Sequence, residues 1–514
     1  MGLSDALLSQ LGAFVASHTG LYFPETRRKD LERGLYSVAK EFGFDNAEAC
    51  ARWLISSTLT KDRIEVLSSH LTVGETYFFR DRKYFDALAG DVLSELVEAR
   101  RKAGKYLRIW SAGCCTGEEP YSLAILLRRL IPDMEDWNIT ILATDINPAF
   151  LKKAETGLYG EWSFRDTPKW VREGYFRRTK GKRYELLPEI RNKVTFAYHN
   201  LGENSYPSLL TNTNAMDLIL CRNVLMYLTP DHHKYVVRKF RQCLIEKGWM
   251  IVGPSEATDA LFPGFASVNF QDVKFYKKGA RDQGPGSMDR GIEPSVIHQE
   301  ATISSAWPPP KSGGRDQDVQ ASIILRQALS PADVKLSPAA ADGLAAQASA
   351  TLYDEAFSLY EKGNYSGAEE RLTPLLSQGR DEGKAAALLA RIAANQGRLT
   401  DALSLCERAV SADRCDPSNY YLLATILQEQ ERLPEASAEL RKALYLDQDF
   451  VLAHFMLGTL ALRQGNKGEA EKHFRNAREL LDRQRPEDLI SSAEGMTAGR
   501  LMAMMRSGFI EETA

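Results

Sequence analysis

A spacing of 34 residues recurs through the last third of the chain and constrains its fold more than any other feature. Four columns keep this spacing through four successive units: Ala356, Ala390, Ala424 and Gly458; Ala368, Ala402, Ala436 and Ala470; Leu372, Cys406, Leu440 and Phe474; and Leu375, Ala409, Ala443 and Ala477. Small residues at fixed positions let two helices approach closely, and larger apolar residues fill the seam to the next unit. The pattern predicts an array of stacked helix pairs over residues 351–485.

The period and the small-residue columns resemble the tetratricopeptide repeat, here in four copies. The resemblance implies an all-α solenoid that binds another protein. Between the columns lie Gly363, Gly397 and Gly465, and Glu431 breaks their register. Beyond the repeats, residues 486–514 are predicted to form a capping helix and tail, because Leu501, Met502, Met504 and Met505 recur near helical spacing.

A change in composition separates the repeats from the rest of the chain. Residues 279–350 contain one aromatic residue, Trp307, and seven of the 21 prolines. Such a stretch buries too little apolar surface to offset the entropy of ordering. Residues 279–350 are therefore predicted to be a flexible linker between two folded parts.

Charge and cysteine content exclude several classes of protein. The 514 residues include 65 Lys and Arg against 68 Asp and Glu, so no global field attracts nucleic acid or an anionic membrane. No stretch reads as a membrane span. Seven scattered cysteines, without a CxxC pair or a histidine-rich cluster, predict no metal site and a reducing, cytoplasmic setting.

The first part of the chain has two characters. Helical periodicity dominates residues 1–85, whereas residues 86–278 alternate short apolar runs with helical stretches. This alternation predicts a mostly parallel sheet with crossover helices, an α/β fold. The apolar runs are residues 106–112, 139–144, 216–221 and 249–252.

The strongest local signal follows the first of these strands. Residues 109–122, IWSAGCCTGEEPYS, form a strand, a loop of small residues and a helix opened by Pro120. The loop is neither a Walker loop nor a GxGxxG fingerprint. The next strand ends at Asp145, whose carboxylate can accept hydrogen bonds from ribose hydroxyls. A small-residue loop with an acid after the next strand suggests an adenosine cofactor, and S-adenosylmethionine fits better than a nicotinamide because the pyrophosphate fingerprint is missing.

Several separate motifs, in order and at these spacings, resemble the CheR family of chemoreceptor methyltransferases over residues 1–278. The motifs are LTVGETYFFRD at 71–81, the loop at 112–122, ATDIN at 143–147, Asn200-Leu201, and CRNVLMY at 221–227. The resemblance implies a helical N-terminal domain over 1–85. It also implies a Rossmann-like methyltransferase domain over 86–278, with an antiparallel β-subdomain inserted at about 160–195. The implied activity is methyl-ester formation on glutamate side chains of chemoreceptors, with S-adenosylmethionine as cofactor.

The resemblance also implies roles for individual residues. Arg80 and Tyr227 would act at the reaction itself. The implied cofactor contacts are Gly74, Thr76, Arg80, Glu118, Asp145, Asn200, Leu201, Arg222 and Asn223. Gly74 departs from the family pattern, which usually has Asn there, and this change is expected to remove one hydrogen bond to the cofactor.

Four further points concern the partners and the activity of the chain. The basic cluster of Arg27, Arg28, Lys29 and Arg33 is either a solvated helix face or a docking surface for acidic receptor helices. The short turn at 180–182 resembles family members that work without a receptor pentapeptide tether. The repeats resemble those of methyltransferases in Wsp-type chemosensory systems, where they would bind a further protein partner. The rival to an enzyme is an adaptor that only senses S-adenosylmethionine.

Overall fold

The computed structural model describes residues 3–57, 60–279, 338–378, 381–492 and 495–509. Most of the predicted linker, residues 280–337, lies outside the described residues. The chain begins with four helices: α1 Asp5–Thr19, α2 Arg28–Glu41, α3 Ala47–Ser56 and α4 Lys61–Leu71. Ser4 and Asn46 cap α1 and α3 through their side chains, and Gly20 ends α1 in the left-handed conformation. Their apolar faces form a small core of their own, as the periodicity of this region predicts.

A seven-stranded sheet organises the next part of the chain, and its strand order is β6-β2-β1-β7-β8-β10-β9. The first five of these strands are parallel, and β10 pairs antiparallel with both β8 and β9. The predicted, mostly parallel α/β sheet is confirmed. Its strands are β1 Tyr106–Ala112, β2 Asn138–Asp145, β6 Val194–Tyr198, β7 Met216–Cys221, β8 Leu244–Val252, β9 Phe265–Phe270 and β10 Val273–Lys278.

Helices cover the sheet, and a second small sheet is inserted before β6. The helices are α5 Arg82–Ala87, a π-helical turn Leu88–Leu93, α6 Ser94–Lys102, α7 Glu118–Leu130, α8 Pro148–Thr156, α9 Lys169–Tyr175, α10 Pro188–Arg191 and α11 Pro230–Cys243. The inserted strands pair antiparallel in the order β3-β5-β4, with β3 Leu158–Tyr159, β4 Phe176–Arg178 and β5 Tyr184–Leu186. Phe78 packs against Phe164 and Phe176, which joins this insert to the segment that follows the N-terminal helices.

The repeat region consists of helix pairs in the predicted register. The helices are α12 Pro338–Glu361, α13 Tyr365–Gln378, α14 Glu382–Asn395, α15 Leu399–Ala412, α16 Pro417–Glu429, α17 Leu433–Leu446, α18 Val451–Arg463, α19 Lys467–Leu481 and α20 Ala498–Phe509. The side chains of the four columns are buried. Glu431 has φ 59° at the position where Gly363, Gly397 and Gly465 have φ near 75°. The turn therefore keeps its left-handed conformation without glycine.

Helix α12 begins inside the stretch predicted to be linker. Residues 338–350 include seven alanines, and alanine has the highest helix propensity of any residue. The low aromatic content of this stretch obscured its helical tendency. None of the described helices is long and apolar enough to cross a membrane.

The repeat array packs against the methyltransferase-like part of the chain. Leu209 is buried in the same apolar cluster as the repeat residues. Arg108, near the start of β1, forms an ion pair with Glu429 at the end of α16. Gln242 donates through Nε2 to the carbonyl of Lys362 at 3.0 Å. The two folded parts are thus joined by direct contacts as well as by the chain between them.

Gly458 and Phe474 form a matched pair in the last repeat. The other three units have Ala at the first position and Leu or Cys at the second. A Cβ on Gly458 would lie 2.8 Å from the ring of Phe474, well inside van der Waals contact. Gly458→Ala should therefore destabilise the protein by about 1–3 kcal/mol through overpacking.

Thermal unfolding of the full chain tests this expectation. The double variant Gly458→Ala with Phe474→Leu should recover most of the loss, because it restores the residues of the third unit. Gly468→Ala on α19 is the control, since a Cβ there meets nothing within 4 Å. It should change the free energy of unfolding by less than about 0.5 kcal/mol, because position 468 is exposed in the first turn of α19. Equal unfolding temperatures for Gly458→Ala and the wild type would contradict the packing argument.

Candidate active site

A cavity of about 120 Å³ lies at the carboxyl ends of β1, β2 and β7. The rest of its wall comes from residues between 19 and 27, from residues 71–80, from Phe150 of α8 and from residues 199–201 after β6. Tyr22 N–H donates to the carbonyl of Tyr227 at 2.7 Å, and Thr229 N–H donates to the carbonyl of Gly20 at 3.1 Å. These backbone hydrogen bonds tie the N-terminal part to the sheet part directly beside the cavity.

The loop after β1 folds closely over the end of β2. The N–H groups of Gly113 and Cys114 both donate to the carbonyl of Thr144, at 2.7 and 2.9 Å. Gly113 has φ 79°, and a Cβ there would overlap Val224. Only glycine combines this positive φ with the absence of a Cβ. Glycine at position 113 therefore lets the loop after β1 pack closely against the segment after β7.

Asp145 lies at the end of β2, with its carboxylate enclosed by backbone donors. Oδ2 accepts from Cys115 N–H at 2.8 Å, and Oδ1 accepts from Asn147 N–H at 2.9 Å. Burial raises the pKa of Asp145 to about 6, despite these hydrogen bonds. Each oxygen keeps a lone pair for a further donor. The geometry suits two hydroxyl groups of a bound ribose.

Arg222 is a buried cation at the end of β7. Its Nη2 donates to Asp81 Oδ2 at 2.7 Å and to the carbonyl of Arg80 at 2.8 Å. Its Nη1 lies 3.3 Å from Glu119 Oε2. The Nε of Arg222 is buried and has no hydrogen-bond partner among the residues that the structure describes. This unpaired donor therefore belongs to a residue of the cavity wall.

Asn223 adopts a left-handed backbone conformation with φ 59°, which Asn tolerates better than most residues. Its N–H donates to Glu256 Oε2 at 2.8 Å, and Met226 N–H donates to Oε1 of the same carboxylate at 3.1 Å. Gly253 N–H also donates to Oε2. Glu256 therefore holds the whole turn that carries Asn223 and Tyr227.

Arg80 lies between two residues with unusual backbone conformations. Phe79 has φ 58° and Asp81 has φ 59°, although neither is glycine. Phe79 N–H donates to Ser122 Oγ at 3.1 Å, and Asp81 is paired with Arg222, so both residues are held from outside. Arg80 Nη1 donates to the carbonyl of Glu75 at 2.6 Å. The guanidinium is thus positioned at the cavity by its neighbours.

Tyr227 lines the cavity from the turn that follows β7. The guanidinium of Arg27 lies over its ring at 4.8 Å and over the ring of Phe23 at 5.1 Å. Arg27, Phe23 and Tyr227 all line the cavity. The N-terminal helices therefore contribute a cation to the site, from the basic cluster singled out in the sequence.

Eight of the ten residues expected at the site line this one cavity: Thr76, Arg80, Asp145, Asn200, Leu201, Arg222, Asn223 and Tyr227. Glu118 does not line it. Its carboxylate accepts from Thr116 Oγ1 at 2.6 Å and from Ser163 Oγ at 3.0 Å, and burial raises its pKa. The neighbouring Glu119 lines the cavity instead, with Oε1 accepting from Ser111 Oγ at 2.8 Å.

Gly74 is the second expected residue that does not line the cavity. A Cβ on Gly74 would lie 2.6 Å from Cζ of Phe150, a residue on α8 that does line it. The ring of Phe150 therefore fills the space that a side chain at position 74 would occupy.

Sequence reasoning missed Glu119, Glu256, Phe150 and His199. Glu119 is adjacent to the residue chosen, and a single sequence does not show which of two successive helix residues faces a cavity. Glu256 could have been found from the sequence, because it follows the end of β8 closely, just as Asp145 lies at the end of β2. Phe150 and His199 had no comparable signal, since their positions depend on the packing of distant segments.

Comparisons with known proteins agree with the geometry. A family profile described as "CheR methyltransferase, SAM binding domain" matches residues 74–271, and one described as "Tetratricopeptide repeat" matches 353–420 and 421–488. The chain is 31% identical to "Chemotaxis protein methyltransferase" of Borreliella burgdorferi over 251 residues, which cover 48% of this chain and 87% of that protein. The chain belongs to the CheR methyltransferase family. It is therefore an S-adenosylmethionine-dependent protein methyltransferase with C-terminal tetratricopeptide repeats.

Other relatives of this CheR-family chain also align with about half of its residues. "Chemotaxis protein methyltransferase 2" of Vibrio cholerae is 30% identical over 55% of this chain and 96% of its own length. "Probable biofilm formation methyltransferase WspC" of Pseudomonas aeruginosa is 30% identical over 48% of this chain and 58% of its own length. Among solved structures, residues 41 to the end of MamA from Desulfovibrio magneticus RS-1 align at 25% identity with a TM-score of 0.25. That alignment covers 26% of this chain and 77% of the MamA chain.

The residues of the cavity fit S-adenosylmethionine. Asp145 offers carboxylate oxygens for the ribose, and Gly113 leaves the loop after β1 without a side chain. Two buried donors on cavity-lining residues, Arg222 Nε and His199 Nε2, have no partner among the described residues. No group of three or more metal-ligating side chains occurs in the described part of the chain.

We expect Asp145 to give cofactor binding a pH dependence. Because its pKa is about 6 in the free protein, protonation below that pH competes with hydrogen bonds from both ribose hydroxyls. Affinity for S-adenosylhomocysteine should be constant above pH 7 and fall by up to about tenfold per pH unit below 6. Isothermal titration calorimetry from pH 5 to 8 measures this.

Asp145→Asn provides the control for this profile. Loss of the charge should weaken binding at pH 7.5 by about 1.5–3 kcal/mol and flatten the fall below pH 6. A flat wild-type profile from pH 5 to 8, or an unchanged slope in Asp145→Asn, would remove Asp145 from the cofactor site.

Gly74 and Phe150 should be coupled in cofactor binding. Gly74→Asn alone must displace the ring of Phe150 from its place in the cavity wall, so it should weaken binding of S-adenosylhomocysteine by about threefold to tenfold, an overpacking cost near 1 kcal/mol. Gly74→Asn combined with Phe150→Ala should recover that loss. Gly160→Asn is the control, because a Cβ there meets nothing within 4 Å. Tighter binding by Gly74→Asn alone would refute the coupling.

Proposed function

We propose that this chain transfers a methyl group from S-adenosylmethionine to glutamate side chains in the cytoplasmic domain of a chemoreceptor, forming methyl esters. The observation that carries the proposal is that Arg80 and Tyr227 line the same cavity as Asp145 and Arg222. Side chains able to contact a carboxylate therefore adjoin side chains suited to the cofactor. The names of the chemotaxis methyltransferase relatives support a receptor as the substrate.

In this proposal the cofactor is held from three sides. Asp145 accepts from the ribose, Asn200 and Leu201 lie beside the adenine, and Thr76, Arg80, Arg222 and Asn223 make the remaining contacts. Asn200 is well placed to do so because its own amide is fixed, with Nδ2 donating to the carbonyl of His18 at 3.1 Å. When bound, the cofactor supplies a methyl group attached to a positively charged sulfur.

The proposed methyl transfer depends mainly on the alignment of the reacting groups. A glutamate side chain is ionised at neutral pH, so no strong general base is needed to activate it. Its negative charge and the positive charge of the sulfur are both lost as the methyl group moves. Placing the carboxylate oxygen in line with the methyl group is then the main contribution of the protein.

Arg80 and Tyr227 are the proposed catalytic residues. The planar fork of Arg80 can pair with the incoming carboxylate through N–H groups other than the one that binds Glu75. The hydroxyl of Tyr227 can donate to the same carboxylate. Arg27 holds the Tyr227 ring through its guanidinium and adds positive charge that attracts the substrate.

The receptor is proposed to approach over the N-terminal helices. Lys29 and Arg33 of α2 are exposed, with Arg33 at 3.9 Å from Asp30, whereas Arg28 is less exposed and pairs with Glu25 and Asp5. Exposed apolar side chains adjoin the cavity mouth at Tyr22, Val73 and Met226. A basic and apolar surface of this kind suits an acidic, amphipathic receptor helix. This favours docking over a merely solvated face for the basic cluster.

The remaining features of the proposal concern receptor choice and location. The β4–β5 hairpin closes tightly, with Thr179 N–H donating to the carbonyl of Arg183 at 2.8 Å. A hairpin this short supports receptor binding without a pentapeptide tether. The repeats are proposed to bind a further protein in a cytoplasmic, Wsp-type chemosensory system, in keeping with the WspC relative.

Methylation of receptor signalling domains by the purified full chain tests the proposal. Labelled S-adenosylmethionine should give base-labile label on glutamates. Arg80→Ala and Tyr227→Phe should each lower turnover by about 100-fold or more, because they remove positioning groups, while the unfolding temperature stays within a few degrees.

Arg82→Ala is the matched control for Arg80. Its side chain is 63% exposed and pairs only weakly with Asp86 at 3.6 Å, so turnover should stay within twofold of the wild type. Cofactor binding without base-labile label on any receptor would favour the adaptor. Loss of activity in exact proportion to loss of folded protein would remove Arg80 and Tyr227 from the reaction.

A further inference from the structure

Arg500, at the start of α20, joins the repeat array to a loop that lines the cofactor cavity. Arg500 is 8% exposed. Its Nη2 lies 2.9 Å from His199 Nδ1, and its Nη1 donates to Glu203 and to Ser205 Oγ. These three partners belong to the loop that follows β6. The same loop contains Asn200 and Leu201, which line the cavity.

His199 borders two cavities. It lines the cofactor cavity, and it also lines a cleft of about 990 Å³ between the sheet and the repeats, whose wall includes Arg500 and Arg463. Its backbone N–H donates to the carbonyl of Asp145 at 3.1 Å. A chain of direct contacts therefore runs from α20 through His199 to the proposed ribose-binding residue.

Arg500 also fixes the protonation of His199. The pKa of His199 is well below its usual value, first because the ring is buried and then because Arg500 and Lys239 lie near it. The ring is neutral, and since the guanidinium of Arg500 only donates, Nδ1 must accept. The ring proton is then on Nε2, the buried donor that has no partner among the described residues. Arg500 thus sets the tautomer of a residue that lines the cavity wall.

Arg500 is itself held by the repeats. Leu501 and Met505 of α20 are buried in the core of the repeat array, and Arg500 N–H donates to Thr497 Oγ1 at 3.3 Å. From the other side, Lys239 Nζ donates to Asn204 Oδ1 at 2.9 Å. The loop is consequently clamped between the repeats and α11.

We propose that Arg500 is a positioning residue for the cofactor: by holding His199, Glu203 and Ser205, the repeat array sets the affinity of the methyltransferase cavity for S-adenosylmethionine. The inference rests on the proposed function and extends it, because it gives the repeats a role inside the catalytic cycle besides partner binding. It predicts an effect on cofactor binding without an effect on the transfer step.

Full-chain variants separate these two effects. Arg500→Ala should raise the Kd for S-adenosylhomocysteine and the KM for S-adenosylmethionine at least tenfold, while kcat at saturating cofactor stays within about threefold. Arg500→Lys should recover part of the affinity, because an ammonium keeps the charge but not the fork. Arg463→Ala is the control on the same cleft wall. Arg463 pairs with Glu431 rather than with the loop, so its Kd should stay within twofold.

A second pair of changes covers the case in which Arg500→Ala folds poorly. Glu203→Gln with Ser205→Ala removes two partners of Arg500 from the loop side and should raise the Kd in the same direction. Unchanged Kd in a folded Arg500→Ala variant, or a fall in the number of binding sites with Kd unchanged, overturns the inference. If the wild type binds no S-adenosylhomocysteine at all, the proposed function falls and this inference falls with it.

Discussion

The buried guanidinium of Arg222 is the interaction on which the catalytic half depends. Its side chain is 2% exposed, and a buried cation is stable only when paired and hydrogen-bonded. The partners of Arg222 come from separate parts of the sequence: Asp81 and the carbonyl of Arg80 before the sheet, and Glu119 from α7. Satisfying this one charge brings the 71–81 segment, the loop after β1 and the end of β7 to a common point.

The same pairing explains the unusual backbone on both sides of Arg80. A positive φ at Phe79 and at Asp81 raises the free energy of the folded state, and outside contacts must offset it. Asp81 gains an ion pair with the buried Arg222, and Phe79 gains the hydrogen bond from its N–H to Ser122. The result is a fixed backbone at position 80, from which the side chain extends until its guanidinium donates to the carbonyl of Glu75.

Much of the fold followed from local signals in the sequence. The 34-residue columns placed the repeats because each unit repeats its own packing, and the small-residue loop and Asp145 placed the cofactor cavity because both follow buried strands. Glu118 and Glu119 could not be told apart, since the choice between them depends on Ser163 and Arg222, which are distant in sequence. The docking of the repeats was also invisible, because Arg108–Glu429 and Arg500–His199 join residues about 300 apart.

That separation between His199 and Arg500 has a consequence for synthesis. Residue 199 leaves the ribosome 301 residues before its partner. At about 5–20 residues per second, the wait is about 15–60 s. The sheet and its cavity can close during that interval, but the loop that contains Asn200 and Leu201 stays without its contact to Arg500 until α20 emerges. If Arg500 sets the affinity for the cofactor as proposed, a nascent chain holds cofactor weakly until α20 has been translated and has packed against this loop.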